Sequence, residues 1–172
     1  MSSTEAFIVS RFIVAVDSRE QTPWHFIGIQ SDAKDGNVPL LVQTKTATLK
    51  TGDYSIAGLE HLVCIERKSH EDLIGSVSHG RTRFEAEFER MSKMRYAAVV
   101  VEASIGEILH HPPRHSKMAP KAVLRTAFSW SIRYGVHWWF APSRSHAEVM
   151  CYRILEQFWK QNQAVVLSGK TE

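Results

Sequence analysis

Cysteine is scarce in this chain. Cys64 and Cys151 are the only two, and neither belongs to a Cys-x-x-Cys pair. That excludes a disulfide framework and a zinc ribbon and suits a reducing compartment. No apolar run approaches the ~18 residues of a membrane span, so no membrane partner is expected. Residues 1–10 lack a basic segment followed by an apolar one. Secretion is therefore not expected, and a cytoplasmic location is. Six prolines and nine glycines leave no low-complexity linker, and there is no internal repeat. No charge sign dominates: 21 Lys and Arg against 18 Asp and Glu give a net charge of +3. Such a balance permits nucleic-acid binding without demanding it. A Ser/His/Asp triad and a glycine-rich phosphate loop are also missing.

What is present fits one domain. The 172 residues, 44% of them hydrophobic and 23% charged, are ordinary globular values. A chain of this size buries roughly 70% of its unfolded surface and needs no staples. Phe12 to Val16 reads as a buried strand ending at Asp17, and Leu40 to Thr46 as the next. Asp53 to Ala57 and His61 to Lys68 read as a hairpin around Gly58-Leu59-Glu60. Ser69, with Asp72 three residues on, predicts a capped helix that stops near Ser78-His79-Gly80. A second helix is expected from Thr82 to Arg95, with Phe84, Phe88 and Met91 inward. Tyr96 to Val101 is a strand covered on both faces. A short helix over 104–109 and a Pro112-Pro113 loop follow. A helix over 119–134 and a strand over 136–140 come next. The last helix, over 143–161, carries the stripe Ala147, Met150, Cys151, Ile154 and Phe158. The order predicts an α/β fold, a mixed central sheet with helices on both sides, with a core over about 12–160.

Three acidic clusters close predicted strands: Asp17-Ser18-Arg19-Glu20, Gly52-Asp53-Tyr54, and Glu66-Arg67-Lys68 with Asp72 beyond. Gly-Asp-Tyr alone is a common turn, and Glu-Arg-Lys alone is a solvated charge run; their conjunction carries the chemistry. A phosphodiester repels hydroxide, and a bound Mg²⁺ or Mn²⁺ neutralises it and acidifies a water. Such hard cations take carboxylate oxygens and keep several waters. If the turn centres near Leu59, Asp53 faces about Ile65 and neighbours Glu66. Glu66 and Lys68 share a strand face, so Lys68 can sit beside the attacking water, while Arg67 points away to a carboxylate or a phosphate. Basic residues cluster over 81–95 and 114–125. Of these, Arg81, Arg83, Arg114 and Lys117 are the expected DNA-phosphate contacts. Trp24, Trp138 and Trp139 are weighed as stacking surfaces for unpaired bases against the commoner buried role.

These residues resemble the nuclease domain of the XPF-type structure-specific endonucleases. The family's Gly-Asp, gap, Glu-Arg-Lys, three residues and Asp are all present at Gly52-Asp53, Glu66-Arg67-Lys68 and Asp72. Asp17-Ser18-Arg19-Glu20 matches its further acidic element. Arg83-Phe84 with Arg90 resembles its next helix, and Ala98 to Glu102 its next strand. The resemblance implies a restriction-endonuclease-like α/β fold. It also implies a Mg²⁺- or Mn²⁺-dependent endodeoxyribonuclease that cuts branched, flap or single-strand/duplex junction DNA in repair, recombination or replication. Asp17, Asp53 and Glu66 would be metal ligands, and Glu20 a ligand or outer carboxylate. Lys68 would serve the water, and Arg19, Arg67 and Asp72 would position phosphate, ligands or helix. The chain is expected to comprise the nuclease domain alone, without a helix-hairpin-helix or helicase domain, from a bacterium or phage. It would act as a homodimer or with a separate DNA-binding partner. The readings set against this are a non-catalytic DNA-binding or scaffold subunit and a sequence-specific restriction-type nuclease.

Overall fold

The computed structural model describes residues 7–114 and 116–163. In chain order the elements are β1 (Ile8–Val9), β2 (Val14–Asp17), a 3-10 turn (Ala33–Asp35), β3 (Leu40–Leu41), β4 (Thr44–Ala47), β5 (Tyr54–Ile56) and β6 (Val63–Lys68). Then come α1 (His70–Val77), α2 (Arg81–Met91), β7 (Tyr96–Val101), α3 (Ile105–His110), α4 (Pro120–Tyr134), β8 (His137–Phe140) and α5 (Arg144–Gln161). Six strands form a sheet in the order β4-β2-β5-β6-β7-β8, and β1 pairs with β3 apart from it. β2 runs parallel to β4 and antiparallel to β5; β5 is antiparallel to β6; β6, β7 and β8 are parallel. The mixed sheet expected from the element order is present.

Alternation along the strands sorts the core into two layers. Ile65, Ala98 and Val100 face one side, where Cys151, Tyr152 and Leu155 of α5 close over them together with Trp24 and Phe26. Cys64, Val99 and Val101 face the other, against Leu73 of α1, Phe84, Phe88 and Met91 of α2, and Val123 and Trp130 of α4. Helices therefore cover both faces. Among the described residues no helix is long and apolar enough to cross a membrane.

The structure departs from the sequence expectations in several places, each with a local cause. The run Leu40 to Thr46 is not one strand: β3 pairs with β1 and β4 with β2, so the chain changes sheets between them. α2 stops at Met91 rather than Arg95. Met91 is fully buried, and the amides of Lys93 and Met94 reach back only three residues, to Arg90 and Met91, a tightened last turn that swings the chain into β7. The buried stripe of α5 is Ala147, Cys151, Tyr152, Leu155 and Phe158, rotated away from Met150 and Ile154. Tyr152 sets that rotation, because its ring stacks on Phe12 at 5.3 Å and its hydroxyl meets Ser10 Oγ at 3.0 Å. Trp24 is buried, and Trp138 packs on Phe88 at 5.4 Å; of the three tryptophans weighed for base stacking, Trp139 is the one substantially exposed.

Candidate active site

The pairing of β5 with β6 builds the site. Tyr54 lies opposite Ile65, one step from the register expected, and continuing that antiparallel register sets Asp53 opposite Glu66. The Asp53 amide donates to the Ile65 carbonyl at 2.8 Å, and Asp53 Oδ2 accepts from the Arg67 amide at 2.7 Å. Gly52 makes this approach possible. It sits at φ +74°, and a Cβ there would lie 2.9 Å from Cys64 Cβ, so the glycine before the aspartate is dictated by sterics. Glu66 and Lys68 then project from the same strand face, and Lys68 Nζ donates to Glu66 Oε1 at 2.6 Å. The ammonium also lies over the Phe84 ring of α2, 4.7 Å from its centroid.

Electrostatics set this strand pair apart. Burial is the main cause pushing the Asp53 carboxyl up to about 8, and the neighbouring Glu66 adds to it. Burial likewise holds Glu66 above the usual carboxylate range, although Lys68 works against it. For Lys68 burial opposes the charge, yet Glu66 outweighs burial and the ammonium is held above its ordinary value. Two carboxyls that resist ionising together, beside an ammonium that resists losing its proton, are a site short of positive charge.

The cleft around them, about 590 Å³, is also lined by Asp17, Arg19, Glu20, Arg67, Asp72 and Arg83. Asp17 is committed within the protein: Oδ1 accepts from the Arg19 amide (2.8 Å) and Nε (2.7 Å), and Oδ2 from Arg19 Nη2 (3.0 Å) and the Leu49 amide (2.8 Å). Burial alone would raise its carboxyl, but Arg19 and the two amides outweigh that and hold it below the usual range. Glu20 accepts from the Thr22 amide at 2.8 Å and meets Arg67 Nη1 at 3.4 Å. Arg67 points away from Glu66, as alternation requires, and forks onto Glu102 at 2.7 and 3.0 Å. Asp72 accepts the Ser69 hydroxyl at 2.7 Å while Ser69 Oγ caps the Asp72 amide.

The expected DNA contacts separate. Arg83 lines the cleft. Arg81 turns away, bonding Thr126 Oγ1 at 3.1 Å and lying 4.9 Å from the Trp130 ring centroid. Arg114 and Lys117 line a different groove. Sequence reasoning missed Glu87, whose carboxylate accepts the Thr51 hydroxyl and, at 3.2 Å, the Gly52 amide, fixing the turn into Asp53. A signal for it existed: Arg83, Glu87 and Arg90 recur at helical spacing, and all three line the cleft. Glu102, joining Arg67 to the Trp24 indole at 2.9 Å, carried no such signal.

Among the described residues no group of three or more His, Cys, Asp or Glu side chains is arranged to hold a metal ion. The donor set nevertheless fits a hard divalent cation. Mg²⁺ is held by one or two carboxylates and keeps its waters, and Asp53 and Glu66 are two oxygen donors whose raised carboxyls a cation would relieve.

The family model described as the ERCC4 domain matches residues 16–154. The chain is similar to the solved structure of XPF from Aeropyrum pernix, with 19% identity, a TM-score of 0.61, and coverage of 84% of this chain and 60% of that one. It is also similar to XPF from Aeropyrum pernix in complex with DNA, with 18% identity, a TM-score of 0.62, and coverage of 88% and 66%. The chain thus spans less than two thirds of the length of either. At such identity the likeness concerns the fold, which is the restriction-endonuclease-like α/β architecture. No curated protein matches the chain.

Proposed function

Because this chain belongs to the ERCC4-domain family, we propose that it is a Mg²⁺- or Mn²⁺-dependent DNA endonuclease acting at branched, flap or single-strand/duplex junctions. The observation that carries this reading is the meeting of Asp53 and Glu66 across β5 and β6, with Lys68 held on Glu66 at 2.6 Å. In this proposal Asp53 and Glu66 would hold the cation. Glu20 would stand behind them, and Asp17 would fix Arg19 at the cleft rim rather than act as a ligand. A divalent cation bound there would neutralise the scissile phosphate and acidify the attacking water. Lys68, kept protonated by Glu66, would orient that water by donating a hydrogen bond rather than by removing its proton. Arg19, Lys50 and Arg83, which line the cleft, would meet the phosphate backbone. Arg67 would brace β6 through Glu102, and Asp72 would hold the start of α1.

A non-catalytic subunit is disfavoured because Asp53, Glu66, Lys68 and Asp72 are all in place. Incubation of flap, fork and single-stranded DNA with Mg²⁺ or Mn²⁺ tests the proposal, with Mn²⁺ binding followed by calorimetry alongside. Asp53→Asn and Glu66→Gln are expected to lower the cutting rate by more than about 100-fold, a loss that even outer-shell changes around metals reach, and to weaken Mn²⁺ binding. Folded protein that neither cuts any of these substrates nor binds Mn²⁺ would overturn the reading. Cutting at one shared sequence in blunt duplexes, rather than at junctions, would replace it with a restriction-type enzyme.

A further inference from the structure

Helix α1 has two walls. Asp72 and Ser76 line the candidate active-site cleft, whereas His70, Ile74 and His79 border a separate groove of about 980 Å³ on its other side. The loop after α3 supplies the opposite wall with Pro112, Arg114 and Lys117. One helix, roughly 10 Å across, is all that divides the two.

We propose that this groove is a subsite for the unpaired strand of the DNA whose phosphodiester occupies the cleft, an inference that rests on the function proposed above. Arg114 and Lys117 are exposed and supply two cations for successive phosphates, against the single carboxylate of Glu71 in the same lining. Pro112 and Pro113 stiffen the segment that presents Arg114. The groove wall is in part apolar or aromatic: Ile74, Pro112 and the imidazoles of His70 and His79. A duplex could meet the cations, but its bases are stacked inside and would not reach that wall. An unpaired strand splays its bases and uses both. His70 adds an independent observation, because its Nε2 is buried without a hydrogen-bond partner. A base edge or phosphate in the groove is the partner that a rotated ring would find.

The test is binding without cutting. Fluorescence anisotropy with the full chain in a chelator compares three probes: an oligothymidylate, a duplex bearing a single-stranded arm, and a blunt duplex of equal charge. The double variant Arg114→Ala/Lys117→Ala changes exposed side chains only, and circular dichroism checks its fold. It is expected to bind the oligothymidylate and the armed duplex about 20-fold more weakly at ~0.1 M salt, and the salt dependence is expected to flatten by about 1.4 in log-log slope. Blunt-duplex affinity should be unchanged. Charge reversal by Arg114→Glu, an equal change of two charges, should give a comparable loss on the oligothymidylate and the armed duplex and none on the blunt duplex. Equal affinity of the variants for armed DNA, an equal loss on blunt duplex, or no wild-type binding of armed DNA would each overturn the subsite. If the variants show the arm-dependent loss yet wild-type protein cuts nothing with Mn²⁺, the groove stands and the nuclease proposal fails. If it cuts and the variants bind armed DNA normally, the nuclease stands and the groove fails.

Discussion

At Asp53, burial and the adjacent Glu66 push in one direction, and the carboxyl rises to about 8 from an unfolded value near 4. The sign of the consequence follows from proton linkage. Between about pH 4 and pH 8 the folded chain holds a proton that the unfolded chain has released, so this residue's contribution to stability is fully present at low pH. It is lost progressively as pH rises through that window. Metal-free protein should therefore melt at lower temperature as pH goes from 5.5 to 8.5. The reading is the difference from Asp53→Asn, which should show a shallower slope. Saturating Mn²⁺, which favours the ionised pair, should raise the melting temperature most at pH 8.5. A wild-type slope equal to that of Asp53→Asn would mean that the carboxyl is ordinary. Asp53 and Glu66 were legible as candidates from spacing alone. The commitment of Asp17 to Arg19 was not, because a run of Asp-Ser-Arg-Glu does not reveal that the arginine folds back two residues and takes both carboxylate oxygens.

The strand pair β5–β6 depends on Gly52 as much as on its ladder. Its φ of +74° and the 2.9 Å approach to Cys64 Cβ leave no room for a side chain. Gly52→Ala should cost roughly 1–3 kcal/mol, the usual strain of a non-glycine residue in this region, and lower the melting temperature by roughly 2–10 °C. Relief of the clash separates the strands, so cutting and Mn²⁺ affinity should fall along with stability. A variant that melts lower but binds Mn²⁺ as tightly as wild type would show that the turn supports the fold without setting the site. Apolar runs and helical spacing disclosed most elements, since burial on one or both faces leaves a period in the sequence. They did not disclose that the run Leu40 to Thr46 serves two sheets, or that α5 turns Tyr152 rather than Met150 inward. Both follow from partners far away in the chain.

Across the whole molecule, Glu102 ties together segments that the chain keeps apart. It accepts from Trp24 in the loop after β2, from Arg67 on β6 and from Arg144 at the start of α5. The side chains of Arg67 and Glu102 are only 10% and 9% exposed. Glu102→Ala would strand a nearly buried guanidinium, a change that costs about 3–5 kcal/mol. Urea unfolding should register it as a lower midpoint with an unchanged slope. A loss under ~1 kcal/mol would show that Glu20 and Thr22, which Arg67 also reaches, suffice for it.

The sequence by itself determined which residues are candidates for the proposed chemistry. Carboxylates suit a hard cation, lysine suits an orienting ammonium, and a close strand approach calls for glycine, so residue types at fixed spacing mark where such a site would sit. It also determined the layers, because alternation and helical period are properties of neighbouring residues. Only the tertiary structure decided that both Asp17 carboxylate oxygens are taken by Arg19 and the Leu49 amide, whereas Asp53 and Glu66 meet across β5 and β6 with one bonded oxygen each. It alone decided that Glu87 and Glu102 brace the candidate site from elements outside the motif, and that Arg81 lies against Thr126 and Trp130 of α4 while Arg83 lines the cleft. Those outcomes depend on strand register and helix rotation, which are set by contacts between residues distant in the chain and leave no local period to read.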